Sequence, residues 1–248
     1  MVIMLKAQVK RPAIAMIELI FAIVIIGIVL MSAPMLISTA AKSGYVVIQQ
    51  EAISETASRV NMIMGYHWDE NSADETILDP ILQTASPVTD LAESTYIDGN
   101  GTGRRIGTPR ESYRSFVRPD NSRVTATVAG TLGPDGLEND IDDFIGNIGL
   151  NLAGTGTGAD YIDKDVTMET TIAYIDDAPT DTTTYSPAGN TINFDANFNQ
   201  TSATTTNIKR IGTTLTSDAA SPDELGKTII LHAFSCNIGG YKLEERDF

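Results

Sequence analysis

The feature that most constrains this chain is a long apolar run near its N-terminus. Between Ile14 and Ile37 the sequence has a single charged side chain, that of Glu18. A helix rises 1.5 Å per residue, so a helix over residues 14–37 is about 36 Å long, enough to cross the hydrocarbon of a bilayer. The run therefore predicts a membrane-spanning helix over residues 14–37.

The charges around this run predict its orientation. Three basic residues precede it, and the next one along the chain is Lys42: the three are Lys6, Lys10 and Arg11. Because basic residues stay on the cytoplasmic side, the N-terminus is expected in the cytoplasm and the rest of the chain outside. A secretory signal cut near Ala40 or Ala41 is the alternative, but a signal's apolar region is usually about 7–15 residues long.

Glu18 is unusual in such a helix. An ionised carboxylate costs about 2–3 kcal/mol at the bilayer centre and less near the interface. No Lys, Arg or His lies within one helical turn of Glu18 inside the run. Either the charge lies near the lipid headgroups, or its partner belongs to another chain.

The segment KRPAIAMIELI at residues 10–20, followed by FAIVIIGI at 21–28, resembles the N-terminal segment of type IV pilins and type II secretion pseudopilins. The resemblance implies a leader over residues 1–13, removed by a prepilin peptidase after Ala13. It implies an N-methylated Ile14 as the mature N-terminus and Glu18 as the family's hallmark glutamate. Ala13 stands where glycine is usual, and Ile14 where phenylalanine or methionine is usual.

The resemblance and the residue pattern together predict a pilin-like α+β fold. A periplasmic helix half over 38–68 would follow the membrane half, because its apolar residues recur at mostly helical spacing. Residues 69–248 would form a globular domain with long loops and a small antiparallel sheet. The long helix would pack on this sheet through its second half only.

Strand signals are concentrated in the last third of the chain. Alternating segments rich in β-branched residues lie at Val166–Ile175, Asn207–Thr216 and Lys227–Ser235, with a shorter one at Val124–Val128. The short link between the last two long segments predicts antiparallel pairing. Glycine-rich segments 99–103 and 154–158 lack a following Gly-Lys-Ser/Thr, so they are predicted loops and not phosphate sites. An extended loop is expected over 177–206.

The densest acidic cluster lies within Gly133–Phe144. Calcium prefers six to eight oxygen ligands, and closely spaced carboxylates around glycines can supply them. The candidate ligands are Asp135, Glu138, Asp140, Asp142 and Asp143. The alternative is a turn that leads into a short helix with acidic residues at its N-terminal end. The resemblance favours calcium slightly, since some pseudopilins bind it in a surface loop.

Six arginines form one basic stretch in an otherwise acidic chain: Arg104, Arg105, Arg110, Arg114, Arg118 and Arg123. The formal net charge is −15, which repels phosphate backbones and argues against general nucleic-acid binding. The stretch would contact an acidic neighbouring subunit, pair with local carboxylates, or bind DNA carried by an uptake filament. The first two interpretations are favoured.

The sequence offers little for catalysis. With one cysteine, Cys236, and two histidines, His67 and His232, the chain lacks the ligands of a usual zinc cluster. No acid–base pair or nucleophile triad is recognisable, and Cys236 is expected to be buried and unreactive. Many adhesive pilins have a C-terminal disulfide loop that a single cysteine cannot form, which favours a pseudopilin or minor pilin.

The sequence thus predicts a non-enzymatic filament subunit, anchored by one span in a bacterial inner membrane with its C-terminal domain in the periplasm. The resemblance implies three partners: a prepilin peptidase, other pilin-like subunits and an inner-membrane assembly platform. Nucleic acid is not an expected partner, and no cofactor beyond calcium is indicated. A membrane-anchored periplasmic enzyme and a DNA-binding minor pilin are the alternatives.

Overall fold

The computed structural model describes residues 12–73, 80–95, 101–105, 115–118, 120–151, 165–179, 200–217 and 227–240. The chain divides into two compact units, residues 1–50 and residues 51–248. The described part contains one long helix and two antiparallel sheets, so the chain has the predicted α+β composition.

Helix α1 extends over Pro12–Ile63 and is continuous through Pro34. Proline is favoured in the first turn of a helix, because its missing N–H would have no intrahelical acceptor there. The helix ends five residues before the predicted boundary at residue 68. Its last turn tightens as the N–H groups of Gly65 and Tyr66 donate to the carbonyls of Met62 and Ile63.

The part of α1 in the first unit carries its apolar side chains on the outside. Every side chain from Met16 to Ala40 is exposed in this unit, and Phe21 and Ile25 keep 63% and 58% of their surface. Among the described residues, α1 is the one helix long and apolar enough to cross a membrane. Such a surface is stable only in lipid or against other apolar surfaces.

In the second unit, the last turns of α1 are amphipathic. Ala52, Thr56, Val60 and Ile63 are buried, and their spacing places them along one face of the helix. Ile63 joins a core with residues of the following loops and the main sheet: Trp68, Leu82, Ala126, Ile141, Phe144, Ile172, Tyr174 and Ile211.

The main sheet has four antiparallel strands in the order β3-β4-β5-β6, and β1 pairs with β2 in a separate hairpin. Their bounds are β1 Glu93–Thr95, β2 Gly101–Arg105, β3 Gly146–Asn151, β4 Asp165–Tyr174, β5 Ile208–Ser217 and β6 Ile229–Cys236. The three predicted long strands correspond to β4, β5 and β6. The predicted antiparallel pairing of the last two is confirmed.

Two predictions about local structure are wrong. Val124–Val128 forms no strand, only a single parallel bridge between Thr125 and Gln83. The pairing with residue 83 goes no further, because the N–H of Thr127 donates to the Asp69 carboxylate and not to a neighbouring strand. Residues 101–103 are not loop but part of β2, where Gly103 adopts a left-handed φ of 70°. The predicted loop at 154–158 and most of that at 177–206 lie outside the described residues.

Candidate functional site

The residues predicted for processing and assembly lie at the start of α1. Ala13 and Ile14 belong to its first turn, and Glu18 follows one turn later with an exposed side chain. The only basic residue described in the first unit is Lys42, which is about 36 Å away along the helix. The described part of this unit therefore offers Glu18 no cationic partner.

The structure divides the five predicted calcium ligands into two sets. Asp135 and Asp143, together with Glu70, have carboxylate oxygens within 4.8 Å of one another, a spacing that would admit a cation. Glu138 is exposed and does not belong to this group, and Asp140 and Asp142 are buried. Sequence reasoning missed Glu70, since it is more than sixty residues away along the chain.

The acidic segment also forms the turn that was the alternative to a metal site. The Asp140 carboxylate accepts hydrogen bonds from the N–H groups of Asp142 and Asp143, at 2.8 and 3.2 Å. These groups open a one-turn 3-10 helix over Asp142–Phe144. Asp143 accepts in turn from the N–H groups of Asn139 and Asp140. The carboxylates therefore satisfy backbone donors that a helix start leaves unpaired.

A second cluster, which no sequence pattern indicated, is centred on Lys209 in the core and is called the lysine cluster. It comprises Lys209, Asp69, Asp140, Asp142, Tyr174 and Trp68. The side chain of Lys209 is fully buried, and its Nζ donates to Asp142 Oδ1 at 2.7 Å, to the Trp68 carbonyl at 2.9 Å and to Asp69 Oδ2 at 3.0 Å.

Three elements position these groups. Lys209 lies on the central strand β5, directly opposite Tyr174 on β4. Asp69 follows the end of α1, where the bridge between His67 and Asp140 holds the chain. The rings of Trp68 and Tyr174 lie with their centres 4.7 and 5.4 Å from Lys209 Nζ, so aromatic faces and carboxylates surround the amine.

Asp69 is the most fully hydrogen-bonded carboxylate of the lysine cluster. Besides Lys209, it accepts from Thr127 N and Thr127 Oγ1, each at 3.0 Å, and from Asn71 N at 3.2 Å. The Tyr174 hydroxyl donates to the Thr127 carbonyl at 2.7 Å. The bonds from Thr127 provide donors for both oxygens of the buried Asp69 carboxyl group.

The cluster has three carboxyl groups and one ammonium, and this imbalance changes the acidity of Asp140. Burial, and then the charge of Asp142, raise the pKa of Asp140 to about 7. Its Oδ2 is buried without a hydrogen-bond partner among the described residues. Burial and the nearby Asp69 likewise raise the pKa of the Tyr174 hydroxyl. Asp140 is therefore the group in the cluster that can hold and release a proton near neutral pH.

Three described arginines of the predicted basic stretch are hydrogen-bonded within the domain. Arg123 makes two bonds of 2.9 Å to the carboxylate of Glu93, and these lower the pKa of Glu93. Arg118 donates to the Asn71 carbonyl and Arg105 to the Leu91 carbonyl. These contacts support the local-pairing interpretation. Arg110 and Arg114 lie outside the described residues.

The thiol of Cys236 is placed differently from the prediction. Cys236 is exposed and lies at the wall of a cavity of about 490 Å³, which Trp68, His67 and Phe234 also line. It is exposed because it ends the edge strand β6. Partial burial still raises the pKa of the thiol, so the unreactive neutral form predominates at neutral pH.

Comparisons of the chain with protein-family models, with curated proteins and with solved structures found no match. Only the chain's own residues therefore bear on its function.

Proposed function

We propose that the chain is a membrane-anchored structural subunit of a pilin-like filament, of the kind found in type II secretion or type IV pilus machines. The observation that carries this proposal is α1 itself. Its first part is an exposed apolar helix with one carboxylate, and its last turns bury one face in the core of a domain with an antiparallel sheet. A filament of packed helices would cover the apolar surface.

Processing would create the partner that Glu18 lacks. Cleavage after Ala13 by a prepilin peptidase removes the basic leader and exposes the amine of Ile14, which carries a positive charge. When subunits stack, this amine meets the Glu18 carboxylate of a neighbour. Unpaired charges are costly in lipid and tolerated when paired, so the pair favours the assembled state and fixes the axial position of each subunit.

In this proposal the leader faces the cytoplasm, and residues 38–248 lie in the periplasm. The mechanism is mechanical: subunits leave the inner membrane through an assembly platform, and filament growth or capping pushes against cargo. The partners are therefore other pilin-like subunits, the prepilin peptidase and the platform.

Neither alternative function gains support from the described residues. An enzyme needs its reactive groups open to a substrate, but the side chains of Lys209, Asp69 and Asp142 are at most 5% exposed. DNA binding needs arginines that are free to contact phosphate, whereas Arg105, Arg118 and Arg123 are hydrogen-bonded within the domain.

Glu18→Ala tests the pairing role. The variant helix is more apolar, so we expect normal membrane levels but reduced incorporation into filaments in a cross-linking assay. Glu51→Ala is the matched control, because Glu51 is an exposed glutamate on the same helix beyond the apolar part. Wild-type incorporation of the Glu18 variant would refute the pairing role.

A further inference from the structure

The amine of Lys209 and the carboxyl group of Asp142 lie in reacting distance of each other. Lys209 Nζ is 2.7 Å from Asp142 Oδ1, and the two side chains are 0% and 5% exposed. A C–O bond of about 1.2 Å places Asp142 Cγ at most about 4 Å from Nζ. Reactive conformers have such atoms about 3–3.5 Å apart, which a small rotation of the carboxyl group would give. We propose that these side chains condense into an intramolecular amide cross-link.

Asp142 is a better electrophile than Asp69, although both contact the amine. The Asp69 carboxylate accepts bonds from Thr127 and Asn71, which stabilise the anion against attack at its carbon. Within the described part of the chain, the Asp142 carboxylate accepts one hydrogen bond besides that of Lys209, at 3.2 Å from the N–H of Gly133. The carboxyl group of Asp140 also lies beside that of Asp142.

The step needs no reactant besides the two side chains. A proton first passes from Nζ to the Asp142 carboxylate, which it contacts at 2.7 Å, and this frees the nitrogen lone pair. The lone pair then attacks Asp142 Cγ, a C–N bond forms, and one C–O bond breaks. Of the three protons on the ammonium, two leave with the carboxylate oxygen as water, and one stays on the amide nitrogen. The buried Oδ2 of Asp140, which has no hydrogen-bond partner among the described residues, lies beside the Asp142 carboxyl group and is placed to relay a proton to the departing oxygen. Because the cluster is buried, little water is present to reverse the reaction.

The product has two fewer buried charges than the reactants. Condensation replaces a buried ammonium and a buried carboxylate by one neutral amide, which removes the desolvation cost of both charges. The remaining amide N–H has the Trp68 carbonyl and the Asp69 carboxylate as acceptors. The cross-link would tie the central strand β5 to the turn before β3 in a chain whose single cysteine can form no internal disulfide. This inference does not depend on the proposed function.

Peptide mapping of the full-length protein, purified in detergent, denatured and digested with trypsin, tests the cross-link. We expect a branched peptide that contains Lys209 and Asp142 and is lighter than the two linear peptides together by one water. Trypsin should not cut after Lys209. Two linear peptides with unmodified masses would overturn the proposal, and a branch at Asp69 would overturn the choice of Asp142.

Three variants sharpen the test. Asp142→Asn should still form the amide but lose ammonia instead of water, and Lys209→Arg should give linear peptides only. Asp140→Asn should leave most of the protein linear; complete cross-linking in this variant would overturn the role of Asp140. The wild-type peptide map alone decides whether the cross-link forms, so the test holds even if a variant fails to fold.

Discussion

Asn237 should be one of the most sensitive residues in the second unit. Its side-chain amide pairs with the backbone of Leu82: Oδ1 accepts from the Leu82 N–H at 2.9 Å, and Nδ2 donates to the Leu82 carbonyl at 2.7 Å. Asn237 and Leu82 are 2% and 0% exposed. In Asn237→Ala, both backbone groups of the buried Leu82 lose this partner.

The magnitude follows from these two groups. A buried polar group left without a partner costs about 1–3 kcal/mol, so two of them cost about 2–6 kcal/mol. The total free energy of unfolding of a domain is about 5–15 kcal/mol, so this is a large fraction of it. In a domain of this size, each kcal/mol lowers Tm by about 2–4 °C, so a loss of about 4 kcal/mol corresponds to about 8–16 °C.

Thermal and denaturant unfolding of the full-length protein in detergent, followed by circular dichroism, would measure the loss. Asn147→Ala is the matched control: Asn147 is an exposed asparagine on β3, and its replacement should change stability by about 0.5 kcal/mol or less. If Asn237→Ala unfolds within about 0.5 kcal/mol of the wild type, the amide pairing does not stabilise the domain as argued.

Two further predictions concern the pH dependence and the hairpin. Because the pKa of Asp140 is raised to about 7, the folded state keeps a proton that the unfolded state releases, and stability falls as pH rises from about 4 to about 7. Asp140→Asn should remove this fall in stability when unfolding is measured between pH 4 and 8. The lowered pKa of His232 has the opposite effect, but it is present in both proteins and cancels when the variant is compared with the wild type. Gly103→Ala should destabilise the domain by at least about 1–2 kcal/mol, because φ is 70° and the new Cβ would lie 2.8 Å from Val117 Cγ2. An unchanged denaturant midpoint would contradict this.

The alternation of apolar and polar residues along the chain was enough to predict β4, β5 and β6. In β4 the buried residues are Val166, Met168, Thr170, Ile172 and Tyr174, which is the period of two that a strand with one buried face requires. β3 has the sequence GNIGLN and lies at the edge of the sheet, where residues 146–149 are all exposed, so these four show no such pattern. Apolar length likewise predicted the first part of α1, and the helical spacing of apolar residues predicted the second part.

The lysine cluster could not be predicted in this way. Lys209 contacts Asp142 and Asp69 across separations of 67 and 140 residues, so only the complete fold brings them together. In the sequence, Lys209 and Arg210 are the two charged residues of an otherwise suitable strand. The burial of Lys209 depends on the carboxylates that other elements place beside it. The acidic segment can be recognised in the sequence, but which of its carboxylates are buried depends on where the fold places Lys209.

The central claim is that the chain is processed as a pilin-like subunit, and the mature N-terminus tests it most directly. Mass spectrometry of the N-terminal peptide of the membrane-extracted protein identifies both the first residue and its modification. The account predicts a chain that begins at Ile14 with a methylated amine. A chain that begins at Met1, or after Ala41, would contradict it.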